Sequence, residues 1–128
     1  MDGGLADSIP IQKSLSDGNT GHVLVLTRPK GYRKKRAHFV RLAYLRYPKY
    51  GGLCDALASR HTKYNDTMDY IDQIEERAEG FVIRPRSALN VGRAERSKDK
   101  LYAAYDQGYA DASECYTGLC AYLNLQTV

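Results

Sequence analysis

The apolar positions of this chain fall into two short continuous runs and several longer periodic stretches. Residues 22–27 and 81–83 are compact runs rich in β-branched side chains, which is typical of strands buried on both faces. Residues 55–78 and 97–123 repeat apolar side chains every three or four positions, as amphipathic helices do. Residues 35–47 predict a further helix. The pattern therefore indicates an α/β fold with two strands and three or four helices.

The two long helices are each expected to present one apolar face. In residues 55–78 this face comprises Leu57, His61, Tyr64, Met68, Ile71 and Ile74. In residues 97–123, which Ser97 is placed to cap, it comprises Leu101, Tyr105, Tyr109, Ala112, Tyr116, Leu119 and Leu123. Gly51-Gly52 is expected to break the chain before the first of these helices.

The two predicted strands share an Arg-Pro pair at their carboxyl ends, Arg28-Pro29 and Arg84-Pro85. A long and largely helical connection separates the strands, so we expect them to run parallel. Both pairs would then lie at the edge where open α/β sheets bind ligands, although arginine and proline also end strands without any such role. Because an isolated two-stranded sheet is marginal in water, we expect the sheet to continue outside this sequence.

Charge is arranged in blocks that the net charge of +4 conceals. Residues 18–54 hold nine basic side chains and no acidic one, whereas residues 55–79 hold seven acidic and three basic ones. The basic block is a solvated surface partly balanced by the acidic helix, a surface attracted to anionic lipid headgroups, or a nucleic-acid site. No nucleic-acid module accompanies it, so we expect no nucleic-acid partner. The residues expected to contact anionic lipid are Arg28, Lys30, Arg33, Lys34, Lys35 and Arg36.

Cysteine and histidine usage argues against several kinds of site. Cys54, Cys115 and Cys120 are odd in number and form no Cys-x-x-Cys pair, which disfavours a disulfide framework or a zinc site. The three histidines are scattered, so we predict neither a metal nor a cofactor. The longest apolar run, residues 23–26, is far shorter than the roughly 20 residues of a membrane span, and no secretory signal is visible. We therefore expect a cytoplasmic chain.

The chain opens on Asp2-Gly3-Gly4, which taken alone is ordinary turn chemistry. Several later stretches follow it in a fixed order. They are Asp7-Ser8-Ile9-Pro10-Ile11, the run from Leu26 to Lys35, Tyr64-Asn65-x-x-x-Asp69-Tyr70, Val82-Ile83-Arg84-Pro85 and Gly108-Tyr109-x-Asp111-Ala112. Together these stretches resemble the C-terminal part of patatin-like phospholipases, in a bacterial branch of that family, over most of residues 1–123.

The resemblance implies the C-terminal part of a patatin-like layered fold and a Ser-Asp dyad that hydrolyses phospholipid or other carboxylic esters. Asp2 would be the base that accepts the proton of a serine nucleophile, and Gly3 and Gly4 would leave room beside it. The serine, in Gly-x-Ser-x-Gly, and the lipid ester substrate would belong to a half of the protein that precedes this sequence. No such nucleophile motif occurs here, so we expect no turnover of p-nitrophenyl butyrate by this chain alone.

On this interpretation residues 1–29 complete the hydrolase core, residues 30–123 form a mainly helical C-terminal extension with a short strand near 81–84, and residues 124–128 form a tail. The alternative is a non-catalytic basic module that packs on a hydrolase domain or binds anionic membrane surfaces, peripheral to the inner face of the membrane. The two hypotheses differ in the role of Asp2, which is a catalytic base in the first and a turn residue in the second. The sequence alone does not determine acyl chain, headgroup or oligomeric state.

Overall fold

The computed structural model describes residues 3–92 and 94–126, which divide into two compact units. The first unit takes the described parts of Met1–Thr20 and Arg33–Ile74, and the second those of Gly21–Tyr32 and Glu75–Val128. The elements in chain order are a 3-10 turn (Gly3–Leu5), α1 (Ile11–Ser16), β1 (His22–Val25), α2 (Val40–Arg46), α3 (Gly51–Glu76), β2 (Gly80–Ile83) and α4 (Lys98–Gln126). The predicted α/β class, with two strands and four α-helices, is confirmed.

The two strands lie in the second unit and pair in parallel, as predicted. The register places His22 opposite Gly80 and Val25 opposite Ile83. One further backbone bond continues the ladder, because the Leu26 N–H donates to the Ile83 carbonyl at 2.8 Å. The helical connection between the strands allows this parallel pairing, which a short turn could not.

The prediction that both strands are buried on both faces is wrong for β1. Its burial alternates: His22 and Leu24 are buried, whereas Val23 and Val25 are exposed. In the parallel register Val23 and Phe81 lie on the same face of the sheet. The Phe81 ring packs against Gly118 of α4, where a Cβ atom added to the glycine would lie 3.3 Å from the ring. One helix packed over β2 covers that strand and leaves the same face of β1 open.

Helix α3 supplies most of the buried apolar surface of the first unit. Met68 and Ile71 are fully buried and Ile74 nearly so, which confirms the predicted face over this half of the helix. The helix begins at Gly51, so Gly51-Gly52 does not break the chain as predicted. The two glycines stand in the first turn, whose N–H groups have no partners within the helix whichever residues occupy it. The fully buried Cys54 holds this turn in place by packing.

Helix α2 is shorter than predicted, because residues 35–39 are not helical. The side chain of Asn65 ties down the backbone just before them. Its Oδ1 accepts the Lys34 N–H at 2.8 Å, and its Nδ2 donates to the Lys34 carbonyl at 3.1 Å. Because these two bonds satisfy both backbone groups of Lys34, the chain gains nothing there from a helical turn.

The apolar face predicted for α4 is wrong in direction. Tyr105, Tyr109 and Tyr116 are exposed, while Asp111 and Tyr122, on the other side of the helix, are buried. The Tyr122 hydroxyl accepts the His22 N–H and donates to the Glu79 carbonyl, both at 3.0 Å. Tyrosine suits both positions, since its ring is apolar and its hydroxyl polar, so hydrophobic periodicity alone could not choose the inward face.

Candidate functional site

The segment from Lys35 to Tyr50 carries basic and apolar side chains on the outside of the first unit, and we call this region the α2 surface. Helix α2 is anchored to the unit by Val40 and Ala43, which are buried. Tyr44 strengthens the attachment, because its hydroxyl donates to Asp55 Oδ1 at 2.5 Å. That hydrogen bond to a carboxylate raises the pKa of Tyr44 above its ordinary value.

The opposite side of α2 is apolar as well. Leu42 is 65 % exposed and Leu45 is 80 % exposed. Both lie away from Val40 and Ala43 at the 100° spacing of an α-helix. Phe39, just before the helix, is also exposed. These large apolar side chains form an exposed patch within and beside one helix.

Cations surround these apolar side chains. Arg41 and Arg46 flank Leu42 and Leu45 along α2, and the Arg46 guanidinium lies 5.3 Å from the centre of the Tyr47 ring. Among the described residues, no carboxylate lies within ion-pairing distance of the remaining basic side chains of this surface, which are Lys35, Arg36, Arg41 and Lys49. The α2 surface therefore carries uncompensated positive charge next to exposed hydrocarbon.

The basic residues nearer the start of the block are compensated instead. Arg33 forms ion pairs with Asp69 and Asp72 of α3, the latter at 3.5 Å. The Lys34 ammonium lies 4.1 Å from the centre of the Tyr64 ring, a cation–π contact. These carboxylates and this ring belong to the acidic helix, so part of the basic block is balanced in the way that the charge pattern suggests.

Arg28 and Lys30 belong to the second unit and are also engaged. The Arg28 guanidinium lies 5.0 Å from the centre of the Tyr32 ring. Lys30 Nζ lies 3.4 Å from Glu75 Oε2, an oxygen that also accepts from Arg84 at 2.7 Å. Arg84, whose side chain is 9 % exposed, thus closes an ion pair at the carboxyl edge of the sheet. Arg28 and Arg84 are thus each engaged by a residue of their own unit.

The structure therefore divides the six residues predicted to contact anionic lipid. Arg28, Lys30, Arg33 and Lys34 have partners within their own units, and Lys35 and Arg36 belong to the α2 surface. The sequence argument did not single out Arg41, Arg46 or the exposed leucines. The sequence does carry a signal for the exposed apolar side chains. Positions 39, 40, 42, 43, 44 and 45 are all apolar, which is too many for the buried face of a two-turn helix. The lipid contact itself stays a prediction.

Of the residues predicted to form the catalytic site, Gly3 and Gly4 lie in the 3-10 turn of the first unit. Asp2 lies outside the described residues, so its role as a base stays a prediction. Gly3 takes no left-handed backbone conformation, and an added Cβ would meet no atom within 4 Å. The Gly4 carbonyl accepts from Ser8 Oγ at 2.9 Å and from Arg60 Nε at 3.2 Å.

A groove of about 340 Å³ opens beside this turn, lined by Asp7, Ser8, Gln12, Arg60, Lys63 and Asp66 among others. Its charged lining residues are of mixed sign, and Leu5, Ala6 and Tyr64 add apolar surface. The Ser8 hydroxyl donates a hydrogen bond to the Gly4 carbonyl, and Asp7 Oδ1 accepts the Ile9 N–H at 3.1 Å. Neither group is arranged as a nucleophile beside a base, which covalent catalysis requires.

Two further properties bear on what the described residues can do. No group of three or more histidine, cysteine, aspartate or glutamate side chains gathers there to hold a metal ion. None of the helices in the same residues combines the length and the apolar character needed to span a bilayer.

Comparison with known proteins gives a family over more than half of the chain. Residues 50–124 match the family described as Domain of unknown function (DUF6363). No curated protein and no solved structure matches the chain. The predicted membership of the patatin-like phospholipases is wrong, because the family found over these residues is a different one and no patatin family matches.

The contacts explain why the stretches that suggested the resemblance could mislead. Asn65 holds the Lys34 backbone and Asp69 pairs with Arg33. Arg84 pairs with Glu75, and Asp111 lies 3.4 Å from Arg86. These polar side chains connect segments within each unit, so their order along the chain reflects how this domain is held together. Short polar motifs of this kind carry no information about an ester hydrolase.

Proposed function

This chain belongs to the DUF6363 family, a domain whose function is unknown, and we propose that it is a non-catalytic module that binds anionic membrane surfaces through the α2 surface. One observation carries the proposal: Leu42 and Leu45 project into solvent between Arg41 and Arg46 on a helix that is anchored from its other side. Apolar side chains flanked by cations suit the boundary between headgroups and acyl chains.

The electrostatic part of the interaction is set by the five cations of the α2 surface. Each lysine or arginine close to an anionic leaflet contributes about 1 kcal/mol. Three carboxylates of α3 that could oppose this attraction are already engaged, Asp69 and Asp72 by Arg33 and Asp55 by Tyr44. Because the attraction falls off within a Debye length, about 8 Å at physiological salt, the binding should be strongly sensitive to salt.

The apolar part comes from the leucines. Fully burying a leucine side chain contributes about 1.5–3 kcal/mol, and Leu45 keeps 80 % of its surface available for that transfer. The arginine stems can lie along the acyl boundary while their guanidinium groups stay at the headgroups. The module would therefore bind peripherally and reversibly, and the anionic inner face of the cytoplasmic membrane is the surface that we propose.

The test is co-sedimentation with vesicles. The full chain is mixed with vesicles of phosphatidylglycerol and phosphatidylcholine, or of phosphatidylcholine alone, at low and physiological salt. We expect pelleting only with the anionic vesicles and its loss as salt rises. The double variant Arg41→Gln/Arg46→Gln should weaken binding about 30-fold, the equivalent of about 2 kcal/mol.

The matched control removes the same charge elsewhere. Arg96→Gln/Lys98→Gln lowers the net charge by two in the second unit and should leave vesicle binding within about threefold of the native chain. Leu45→Ser should weaken binding while keeping its salt dependence. Equal pelleting on neutral and anionic vesicles, or equal losses in the two double variants, would count against the proposal.

A further inference from the structure

A row of tyrosines runs along the solvent side of α4. Tyr102, Tyr105 and Tyr109 are each 67 % exposed and Tyr116 is 65 % exposed. Leu123 is also exposed and Leu119 is half-buried. Together with Ala112 they follow one another at alternating spacings of three and four residues. We call the seven residues the tyrosine stripe: Tyr102, Tyr105, Tyr109, Ala112, Tyr116, Leu119 and Leu123.

The stripe is a distinct face of the helix. The inward face of α4 carries Asp111 and Tyr122, which are buried, and the stripe lies on the other side. The Tyr105 and Tyr109 rings stack on one another with centroids 6.3 Å apart, so they already share one orientation. An alternation of three and four residues is the heptad pattern by which one α-helix packs along another.

The chemistry of the stripe selects a protein helix as its partner. From Leu101 to Gln126 the sequence has no lysine or arginine, whereas it has three acidic residues, Asp106, Asp111 and Glu114. A surface without cations attracts neither an anionic membrane nor a nucleic acid. The stripe is therefore separate in chemistry from the α2 surface, and the inference below does not depend on the membrane proposal.

The area of the stripe is sufficient for specific association. A buried tyrosine removes about 150–250 Å² from water, so four tyrosines that are two-thirds exposed leave roughly 500 Å² of aromatic surface available. A standard interface takes about 800 Å² from each partner. The tyrosines thus supply more than half of that area before the leucines are counted, and they equal the largest patches of ordinary monomers.

The order of large and small residues points to a second copy of this chain. The N-terminal half of the stripe is aromatic and the C-terminal half is aliphatic, with the small Ala112 between Tyr109 and Tyr116. If two copies of α4 pair antiparallel, Tyr105 meets the partner's Leu123, Tyr109 meets the partner's Leu119, and Ala112 meets the partner's Tyr116. Each of these three layers, and its symmetry-related copy, then joins one large side chain with a smaller one, as close packing requires.

Parallel pairing lacks this match. It would place each tyrosine against its own copy in four layers and leave Ala112 facing alanine, so the interface would be overfilled at some layers and empty at another. We therefore infer that the tyrosine stripe is the interface of a twofold-symmetric homodimer in which the two α4 helices pack antiparallel.

The test uses charges placed in one predicted layer. Tyr105→Lys and Leu123→Glu each put a charge opposite an apolar side chain twice in the homodimer, so each variant alone should be monomeric by analytical ultracentrifugation from about 1 to 100 µM, where the native chain dimerises. An equimolar mixture should dimerise again. In the mixed dimer one layer pairs lysine with glutamate and the symmetry-related layer is native, so both penalties are removed.

The controls are residues of similar exposure outside α4. Tyr50→Lys and Leu45→Glu should leave the dimer unchanged, and circular dichroism should show native helicity for all four variants, because each substituted side chain is exposed. A native chain that stays monomeric at about 100 µM would overturn the inference. So would a mixture of Tyr105→Lys and Leu123→Glu that remains monomeric, because only the antiparallel register brings those two positions together.

Discussion

Replacement of Tyr122 by phenylalanine tests which face of α4 packs inward. The Tyr122 hydroxyl links the backbones of the two strand segments. It accepts the His22 N–H at the start of β1 and donates to the Glu79 carbonyl just before β2. Both His22 and Tyr122 are buried. Phenylalanine keeps the ring and its packing against Phe81, whose centroid lies 5.9 Å away, and removes only the hydroxyl.

The magnitude follows from those two hydrogen bonds. A buried backbone group that loses its partner costs about 1–3 kcal/mol. We therefore expect Tyr122→Phe to lower the free energy of unfolding by about 2 kcal/mol, with the His22 N–H as the larger contribution because it is the more deeply enclosed group. For a chain of this size that loss corresponds to a decrease in Tm of about 8 °C.

The assay is urea unfolding followed by circular dichroism, with Tyr105→Phe as the matched control. Tyr105 loses the same atom from an exposed side chain, so its free energy of unfolding should change by less than about 0.5 kcal/mol. If α4 instead packed through the face that periodicity suggested, Tyr105→Phe would be the more harmful substitution. Equal effects of the two variants, or a larger effect at Tyr105, would refute the reasoning.

Two further predictions concern local backbone and charge. Ala78 follows α3 with φ of 56°, a left-handed conformation that costs a non-glycine residue about 1–2 kcal/mol. Ala78→Gly should therefore raise the free energy of unfolding by about 0.5–1 kcal/mol, whereas Ala103→Gly within α4 should lower it by about 1 kcal/mol. A lower free energy of unfolding for Ala78→Gly, measured in urea, would contradict this. Hydrogen bonds from the Ser97 and Arg96 N–H groups lower the pKa of Glu95. The stabilisation by Glu95 is therefore present above its unfolded pKa and is lost as pH falls through the lower folded pKa. The Tm difference between the native chain and Glu95→Gln should accordingly shrink on acidification, and a difference that stays constant down to about pH 3 would contradict the linkage.

Several features could be predicted from the sequence because local patterns encode them. The β-branched runs that became β1 and β2 and the long connection between them predict parallel pairing. The spacing of Met68, Ile71 and Ile74 predicts the buried face of α3. In α3 the apolar side chains alternate with clearly polar ones, so only one face of that helix can leave water.

The α2 surface was only partly predictable. The block of positive charge is visible in the sequence, but only tertiary contacts decide which of its residues form ion pairs. Arg33 pairs with Asp69 and Asp72, whereas Arg41 pairs with no carboxylate in the described parts of the chain. These pairs join residues more than thirty positions apart, and their formation depends on how α3 is placed against the preceding segment. The family resemblance failed for a related reason, since polar residues that serve internal contacts looked like a family signature.

By itself the sequence determined the α/β class, the parallel relation of the strands and the apolar face of α3, because apolar runs, the length of the connection between them and helical periodicity are all local properties of the chain. Tertiary structure alone decided which basic residues stay uncompensated and which face of α4 turns inward. Tyrosine can satisfy either environment, and only the two backbone groups that meet the Tyr122 hydroxyl distinguish it from the tyrosines that remain on the surface.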